Sequence, residues 1–251
     1  MNRLLAIVLI ALFPVLTNAQ KWDFSYSMGV TKPLGSFSNN DITANDVGMA
    51  ENGFFIQFSG NYSNIERLGL ATALILSSNA MDDNANGLRL EKSVEKLFLK
   101  RSLTDDERRD LSYNSSDWRW GALLAGPMLK LPAGNSVFIL KAMTGFQMNF
   151  IAKPEMIYDD EDNGLVFRGR VDDENKLSIP FLLGAELNYH LRSNISVRFG
   201  VDYYVSKMSY KNKYETIRRS NSEVTVLETE KRSVVPQNLN IGVGLIYHIN
   251  I

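Results

Sequence analysis

The sequence predicts an all-β fold, an eight-stranded antiparallel up-and-down transmembrane β-barrel with long extracellular loops and short periplasmic turns. Three observations predict it. The chain opens with a secretory leader, its remainder alternates apolar and polar residues in segments, and the connections between segments alternate between short and long. Alternating segments of about ten residues, with short periplasmic turns and long outer loops, are typical of outer-membrane barrels.

The N-terminus has the pattern of a secretory signal peptide. Arg3 gives a positive start, residues 4–16 are apolar, and Thr17 and Ala19 place small residues before a cut ahead of Gln20. The alternative is a membrane anchor, but the apolar run is too short to cross roughly 30 Å of hydrocarbon. We therefore predict a cleaved signal peptide, 1–19, followed by one outer-membrane β-barrel domain, 20–251.

Composition excludes several function classes. The chain has 27 basic and 28 acidic residues and a net charge of −1, which gives no reason to expect nucleic acid as a partner. It has no cysteine, so disulfides, thiolate metal sites and a cysteine nucleophile are excluded. It has only 2 histidines, which leaves little for a histidine-rich metal centre. We predict no metal and no cofactor.

Eight segments alternate with the period of a strand. They are 22–30, 54–62, 68–77, 118–131, 138–150, 179–190, 195–206 and 238–251. In the first three, large apolar residues alternate with serine, glycine, alanine and asparagine. In the fourth, Pro127 cannot donate to a sheet ladder, and we predict a bulge at Gly126-Pro127 that swaps the two faces below it. The last four keep the alternation, with Pro180 near one end of the sixth.

Aromatic residues cluster at the segment ends and predict two interfacial girdles. They are Trp22, Tyr62, Tyr189 and Tyr247 at the periplasmic end, and Trp118, Trp120, Phe150 and Tyr203 at the outer end. A soluble barrel is the alternative, with its apolar face inside. The girdles and the small residues on the polar face favour the membrane barrel.

The connections at 63–66, 132–136 and 191–194 are tight, and the others are long and charged. Asn163-Gly164 between apolar runs predicts a β-hairpin, and a second hairpin is predicted around 218–222. In the largest loop, 78–117, apolar residues recur at helical spacing over 88–101, and Thr104 begins a capping box. The apolar stripe of this helix has three possible sites: the barrel mouth, the lipid surface or a protein partner.

Two short stretches carry a resemblance. Leu124-Ala125-Gly126-Pro127 and Ile179-Pro180-Phe181-Leu182-Leu183 resemble the eight-stranded outer-membrane barrel family that includes PorT-like proteins, and the architecture is similar to OmpX and the barrel of OmpA. The resemblance implies no catalytic residue, and it implies an accessory role in a secretion or assembly machine. It also implies a C-terminal signal for the barrel-assembly machinery, whose spacing Tyr247, Ile249 and Ile251 keep.

Four charged residues are predicted to point into the lumen: Lys141, Glu186, Arg198 and Asp202. Charges in a narrow interior must pair, so a salt-bridge plug is expected, with a proton or ion path as the alternative. Glu186 and Arg198 are predicted to lie nearly opposite each other across the 191–194 turn.

Asp23 and His248 are predicted to meet where the first and last strands close the barrel. The alternative is a catalytic arrangement with Ser25 or Ser27 as nucleophile. A closing hydrogen bond is favoured, because a lipid-modifying enzyme needs its site at the opposite end.

The functional expectation is a non-enzymatic protein in the outer membrane of a diderm bacterium, with periplasmic termini and a plugged lumen. Its loops are expected to serve structural or binding roles. The alternatives are an accessory component of a secretion machine, a lipid-directed enzyme and a soluble ligand-binding barrel. The expected partners are outer-membrane lipid, the barrel-assembly machinery and a protein bound through loop 78–117.

Overall fold

A computed structural model describes residues 21–44, 46–63, 67–114, 117–150, 155–161, 163–174 and 177–250. The predicted signal peptide, its cleavage site and Ile251 lie outside the described residues, as does most of the predicted turn at 63–66. No described helix is both long enough and apolar enough to cross a membrane.

The described chain is built mainly from strands. They are β1 (Lys21–Pro33), β2 (Ala50–Ser63), β3 (Leu68–Met81), β4 (Leu111–Asn114), β5 (Trp118–Ala133), β6 (Ser136–Phe150), β7 (Glu155–Asp160), β8 (Leu165–Glu174), β9 (Leu177–Ser178), β10 (Phe181–Arg192), β11 (Ile195–Val205), β12 (Met208–Arg218), β13 (Val224–Val234) and β14 (Gln237–Asn250).

Eight of these strands close into a barrel in the order β1, β2, β3, β5, β6, β10, β11 and β14, each antiparallel to its neighbours. β14 returns to β1, with Asn250 opposite Lys21 and Asn238 opposite Pro33. The predicted eight-stranded antiparallel barrel is confirmed. The sharp connections β5–β6 and β10–β11 lie at one end, the short-turn end, and the long connections lie at the other, the long-loop end.

The ladder register fixes the stagger of the barrel. A path along paired residues starts at Met128 on β5, passes Lys141 on β6, and continues around the wall through the remaining strands. It returns to β5 at Trp118, ten residues from its start. A stagger of this size tilts the strands by about 35–45° and leaves an interior that side chains fill.

Alternation sorts the side chains as the sequence predicts. On β1, Ser25 and Ser27 are buried inside, while Phe24 and Met28 are exposed outside. The predicted bulge at Gly126-Pro127 is wrong. The β5–β6 register is the same on both sides of it, and β3 keeps Leu70 opposite Pro127 without a shift. Pro127 lies on the outer face and interrupts ladder bonds without adding a residue, so the faces of β5 do not swap.

A second sheet stands at the long-loop end, in the order β13, β12, β8, β7 and β4. Both predicted hairpins are confirmed as β7–β8 and β12–β13, and the pairing of β8 with β12 joins them into one sheet. The short β9 adds to the barrel strand β6.

The large loop holds the helices. α1 (Asp83–Val94) begins at the N-cap Asp82 and continues into a π-helical turn, Glu95–Leu99. α2 (Asp105–Arg109) has the predicted capping box, in which the Thr104 side chain accepts from the Glu107 amide. A 3₁₀ turn, Gly35–Phe37, folds over the mouth after β1. The predicted helix and capping box are confirmed.

Candidate functional site in the barrel lumen

Four charged side chains form a layer across the middle of the lumen, and we call them the charge layer. Lys141 comes from β6, Glu186 from β10, and Arg198 and Asp202 from β11. Each is at most 5% exposed. The period-two alternation of these strands places all four on the inner face, so the structure brings the predicted residues together.

The charge layer is internally paired. Arg198 Nη2 lies 2.7 Å from Glu186 Oε1 and 3.9 Å from Asp202 Oδ2. Lys141 Nζ lies 3.1 Å from Asp202 Oδ1 and forms a shorter contact with Glu186. Two positive and two negative groups cancel, which is the condition under which burial of charges is tolerated.

Neutral side chains extend this layer to the opposite wall. Arg198 Nη1 donates to Ser25 at 3.1 Å and to Ser59 at 3.2 Å. The amide of Gln57, in the orientation that gives both of its atoms a partner, donates to Asp202 Oδ2 at 3.2 Å and accepts from Arg198 Nη2 at 3.2 Å. Contacts therefore cross from β11 to β1 and β2, and the middle of the lumen is filled.

The register differs from the prediction in one detail. Glu186 lies opposite Gly200, and Arg198 lies opposite Asn188, so the two charged residues are offset by two positions along the ladder. Glu186 and Arg198 are thus diagonal neighbours, still within reach of long side chains.

Above the charge layer lies an aromatic layer made of Trp118, Trp120, Tyr204 and Phe37. Trp120 stacks on Tyr204 with 4.1 Å between ring centroids, and Trp118 packs edge-on to Phe37 at 5.8 Å. The Trp118 indole donates to the carbonyl of Gly48 at 2.9 Å.

The predicted girdle role of Trp118 and Trp120 is therefore wrong. They are 1% and 2% exposed and point into the lumen. The wide mouth needs large rings to fill it, and Tyr204 supplies the stacking partner. Phe150, Tyr189 and Tyr247 point outward and are about half exposed. Trp22 packs against Tyr62 with its ring tilted and 4.9 Å between the ring centroids.

A third group, the rim network, lies at the short-turn end. His248 Nδ1 lies 2.7 Å from Asp23 Oδ1, and its Nε2 lies 2.6 Å from Ser196 Oγ. His190 Nδ1 lies 2.7 Å from the same hydroxyl. Lys130 Nζ donates to Asp23 Oδ2 at 2.8 Å. The structure brings Asp23 and His248 together and adds Ser196, which sequence reasoning missed.

The Asp23–His248–Ser196 chain has the order of a hydrolase triad, with Ser196 in place of the predicted Ser25 or Ser27. Ser196 is 0% exposed, and both histidines hold its oxygen. A nucleophile must reach a carbonyl carbon at about 3–3.5 Å, which this burial prevents. The geometry suits a structural role, in which these side-chain hydrogen bonds hold β1, β14, β11 and β10 together.

Comparisons with known proteins give structural matches only. No family model matches the chain, and no curated protein matches it. Among solved structures, the chain is similar to the attachment invasion locus protein Ail of Yersinia pestis, with 10% identity, a TM-score of 0.37, and coverage of 93% of this chain and 100% of that one. It is similar to OprG of Pseudomonas aeruginosa, with 13% identity, a TM-score of 0.43, and coverage of 93% and 98%. It is also similar to the outer membrane protease OmpT of Escherichia coli, with 10% identity, a TM-score of 0.42, and coverage of 93% and 98%.

The second sheet and α1 together form a loop platform. Leu90 and Val94 of α1 are 5% and 0% exposed and pack with Phe167, Tyr158 and Tyr214 of the sheet. The helix stripe thus packs on the second sheet, which is none of the three sites considered from the sequence: the barrel mouth, the lipid surface and a protein partner. The described residues contain no group of three histidine or acidic side chains placed to hold a metal ion.

Proposed function

We propose that this protein is an integral outer-membrane β-barrel with a plugged lumen, and that its loop platform serves a non-enzymatic binding or structural role. The observation that carries the membrane assignment is the outer surface. Large apolar side chains are exposed on all eight barrel strands, among them Val30 at 58%, Phe146 at 72% and Leu245 at 59%. Soluble monomers rarely expose contiguous apolar surface on this scale, whereas an outer-membrane barrel presents an apolar band to lipid.

The orientation follows from the unequal ends. Outer-membrane barrels keep short turns in the periplasm and long loops outside. The short-turn end then faces the periplasm with both chain termini, and the loop platform faces the exterior. Tyr247 and Ile249 lie on the outer face of the last strand, where the barrel-assembly machinery would read them during insertion.

The plugged lumen is supported by two layers in series. The charge layer crosses the middle of the barrel, and the aromatic layer fills the mouth above it. A water-filled solute path would need both to open. This arrangement favours a structural or binding role over transport.

Binding by the loop platform is supported by its edge strand. β13 pairs on one side with β12, and Val224 and Val226 on it are 51% and 50% exposed. An exposed strand edge with apolar side chains is a common docking site for a protein segment. This edge also suits the accessory role in a secretion or assembly machine, in which β13 would contact a subunit of that machine.

Two measurements test the proposal. Membrane fractionation should place the protein in the outer membrane, and its gel mobility should change on boiling, because a closed barrel resists detergent. Recovery from the soluble periplasm without a heat shift would overturn the membrane assignment. For the binding role, a photo-crosslinker at Val226 should capture a partner in intact cells that the same crosslinker at Leu191, at the other end, does not capture.

A further inference from the structure

Two buried arginines lie together outside the barrel, between α1 and the β12–β13 hairpin. Arg89 on α1 is 6% exposed and Arg232 on β13 is 7% exposed. Tyr210 lies directly opposite Arg232 in the ladder. Burial raises the pKa of its phenol, and the positive charges of Arg89 and Arg232 oppose that rise. α1 lies over this region, since Leu90 and Val94 pack on the second sheet and Ser93 Oγ lies 3.5 Å from the Tyr214 hydroxyl.

Each arginine uses only part of its hydrogen-bonding capacity. Arg89 Nη2 donates to Asn86 Oδ1 at 3.2 Å. Arg232 Nε and Nη2 both donate to Glu230 Oε2, at 3.0 and 2.9 Å. The Nη1 atoms of both arginines and Asn86 Nδ2 are buried, and they have no acceptor within the described part of the chain. Three buried donors without an acceptor in the described chain thus lie on α1 and on the hairpin strand β13.

The region also carries an excess of positive charge. A guanidinium stays protonated in proteins, so among the side chains that the structure describes here Arg89 and Arg232 together outweigh the single carboxylate of Glu230. Burial and the neighbouring charge of Arg232 both lower the pKa of Arg89. Other nearby acids are engaged elsewhere: Glu91 lies 3.6 Å from Arg108, Glu215 pairs with Lys213 at 3.0 Å, and Asp82 caps α1.

We propose that Arg89, Arg232 and Asn86 bind a small monovalent anion of the halide class between α1 and the hairpin. One such anion accepts from all three donors and cancels the excess charge. A water molecule satisfies the donors but leaves a buried charge uncompensated, which is costly. The bound anion would fasten α1 to the hairpin and so stabilise the loop platform.

The experiment uses the full mature chain in detergent. Thermal unfolding is followed while sodium bromide replaces sodium gluconate at constant ionic strength. We expect the midpoint to rise with bromide, by about 5–10 °C at a hundredfold excess over Kd. Crystals in bromide should give an anomalous peak within hydrogen-bonding distance of both guanidinium groups.

Variants separate a site from a general salt effect. Arg89→Met removes the excess charge, so it should lose the bromide dependence and remain stable in gluconate. The control Arg109→Met, on exposed α2, removes a positive charge that pairs with Asp106 and should keep the full dependence. Should Arg89→Met fail to fold, Asn86→Asp supplies a fixed negative charge in place of the anion and should unfold at the same temperature in both salts.

Three outcomes would overturn the proposal. The first is a wild-type midpoint equal in bromide and gluconate, with no anomalous peak. The second is full bromide dependence in both Arg89→Met and Asn86→Asp. The third is stabilisation by phosphate but not by bromide, which would replace a halide with an oxyanion.

Discussion

Arg198 is the residue through which most of the charge layer is connected, since it contacts Glu186, Ser25 and Ser59 from three other strands. Arg198→Ala leaves Glu186 with Lys141 alone and should cost about 3–5 kcal/mol of unfolding free energy. Glu186→Gln combined with Arg198→Met should cost less unfolding free energy than the sum of the two single changes, because removing both charges leaves neither of them buried without its partner. Urea unfolding in lipid vesicles measures Arg198→Ala, the two single changes Glu186→Gln and Arg198→Met, and their combination. Strict additivity would show that the two residues are not coupled.

Ser196 gives a second prediction at this scale. Because its hydroxyl is buried between two histidines, a fluorophosphonate probe should not label the folded protein. Ser196→Ala should lower the unfolding free energy by about 0.5–1.5 kcal/mol, the usual contribution of a hydrogen bond. Labelling of the folded wild type that disappears in Ser196→Ala would instead reveal a hydrolase.

Residue identity was easier to predict than residue pairing. Alternation alone places Lys141, Glu186, Arg198 and Asp202 inside. It does not reveal the one-residue ladder shift after His190 or the resulting register, in which Arg198 lies opposite Asn188, two residues from Glu186. The same shift places Ser196 opposite His190, and no sequence signal marks that contact.

At the scale of elements, α2 is held by its cap. The Arg101 guanidinium and Thr104 hold the pKa of Glu107 well below its usual range. A lowered pKa stabilises the fold above the unfolded pKa, and that contribution is lost only as the pH falls through the folded value. Glu107 should therefore stay ionised at pH 3, and Arg101→Gln should raise its titration midpoint. Carboxyl chemical shifts by NMR measure both. An ordinary midpoint near about 4.3 in the wild type would contradict the cap geometry.

Strand faces give another prediction for elements. Val243, 52% exposed on β14, faces outward in the middle of the barrel. Val243→Lys should cost roughly 2–4 kcal/mol in lipid, whereas the matched change Leu68→Lys near the short-turn end should cost about 0–1 kcal/mol. Equal costs at both positions would mean that the outer face does not lie in hydrocarbon.

Gly244, the inward neighbour of Val243, behaves differently. A Cβ there would lie 2.3 Å from the Tyr26 carbonyl oxygen, so Gly244→Ala acts by crowding rather than by polarity.

Elements with strong local signals were predictable, and their long-range pairing was not. Hairpin turns and helical spacing indicated β7–β8, β12–β13 and α1. The joining of β4, β7, β8, β12 and β13 into one sheet depends on contacts between distant loops, which periodicity does not encode. Trp118 and Trp120 show the same limit of sequence reasoning. Their position at a strand end suits an interfacial girdle, but the structure shows that both side chains point into the lumen.

At the scale of the whole molecule, the charge layer and the aromatic layer lie in series along the lumen, and this arrangement predicts a low conductance. The wild-type protein should be nearly non-conducting in a planar bilayer. Trp120→Ala with Tyr204→Ala removes the stacked rings but leaves the charge layer, so the barrel should stay closed. Glu186→Ser with Arg198→Ser removes a neutral pair from the charge layer and leaves the rings, so it should stay closed as well.

The variant that carries all four substitutions removes two large side chains from each layer. It should conduct measurably more than either double variant. Refolding, checked by the heat-dependent gel shift, must be equal in all three variants before their currents are compared. A steady, large conductance of the wild type would show that the lumen is open and that its charges select ions. High conductance in one double variant alone would assign the barrier to a single layer.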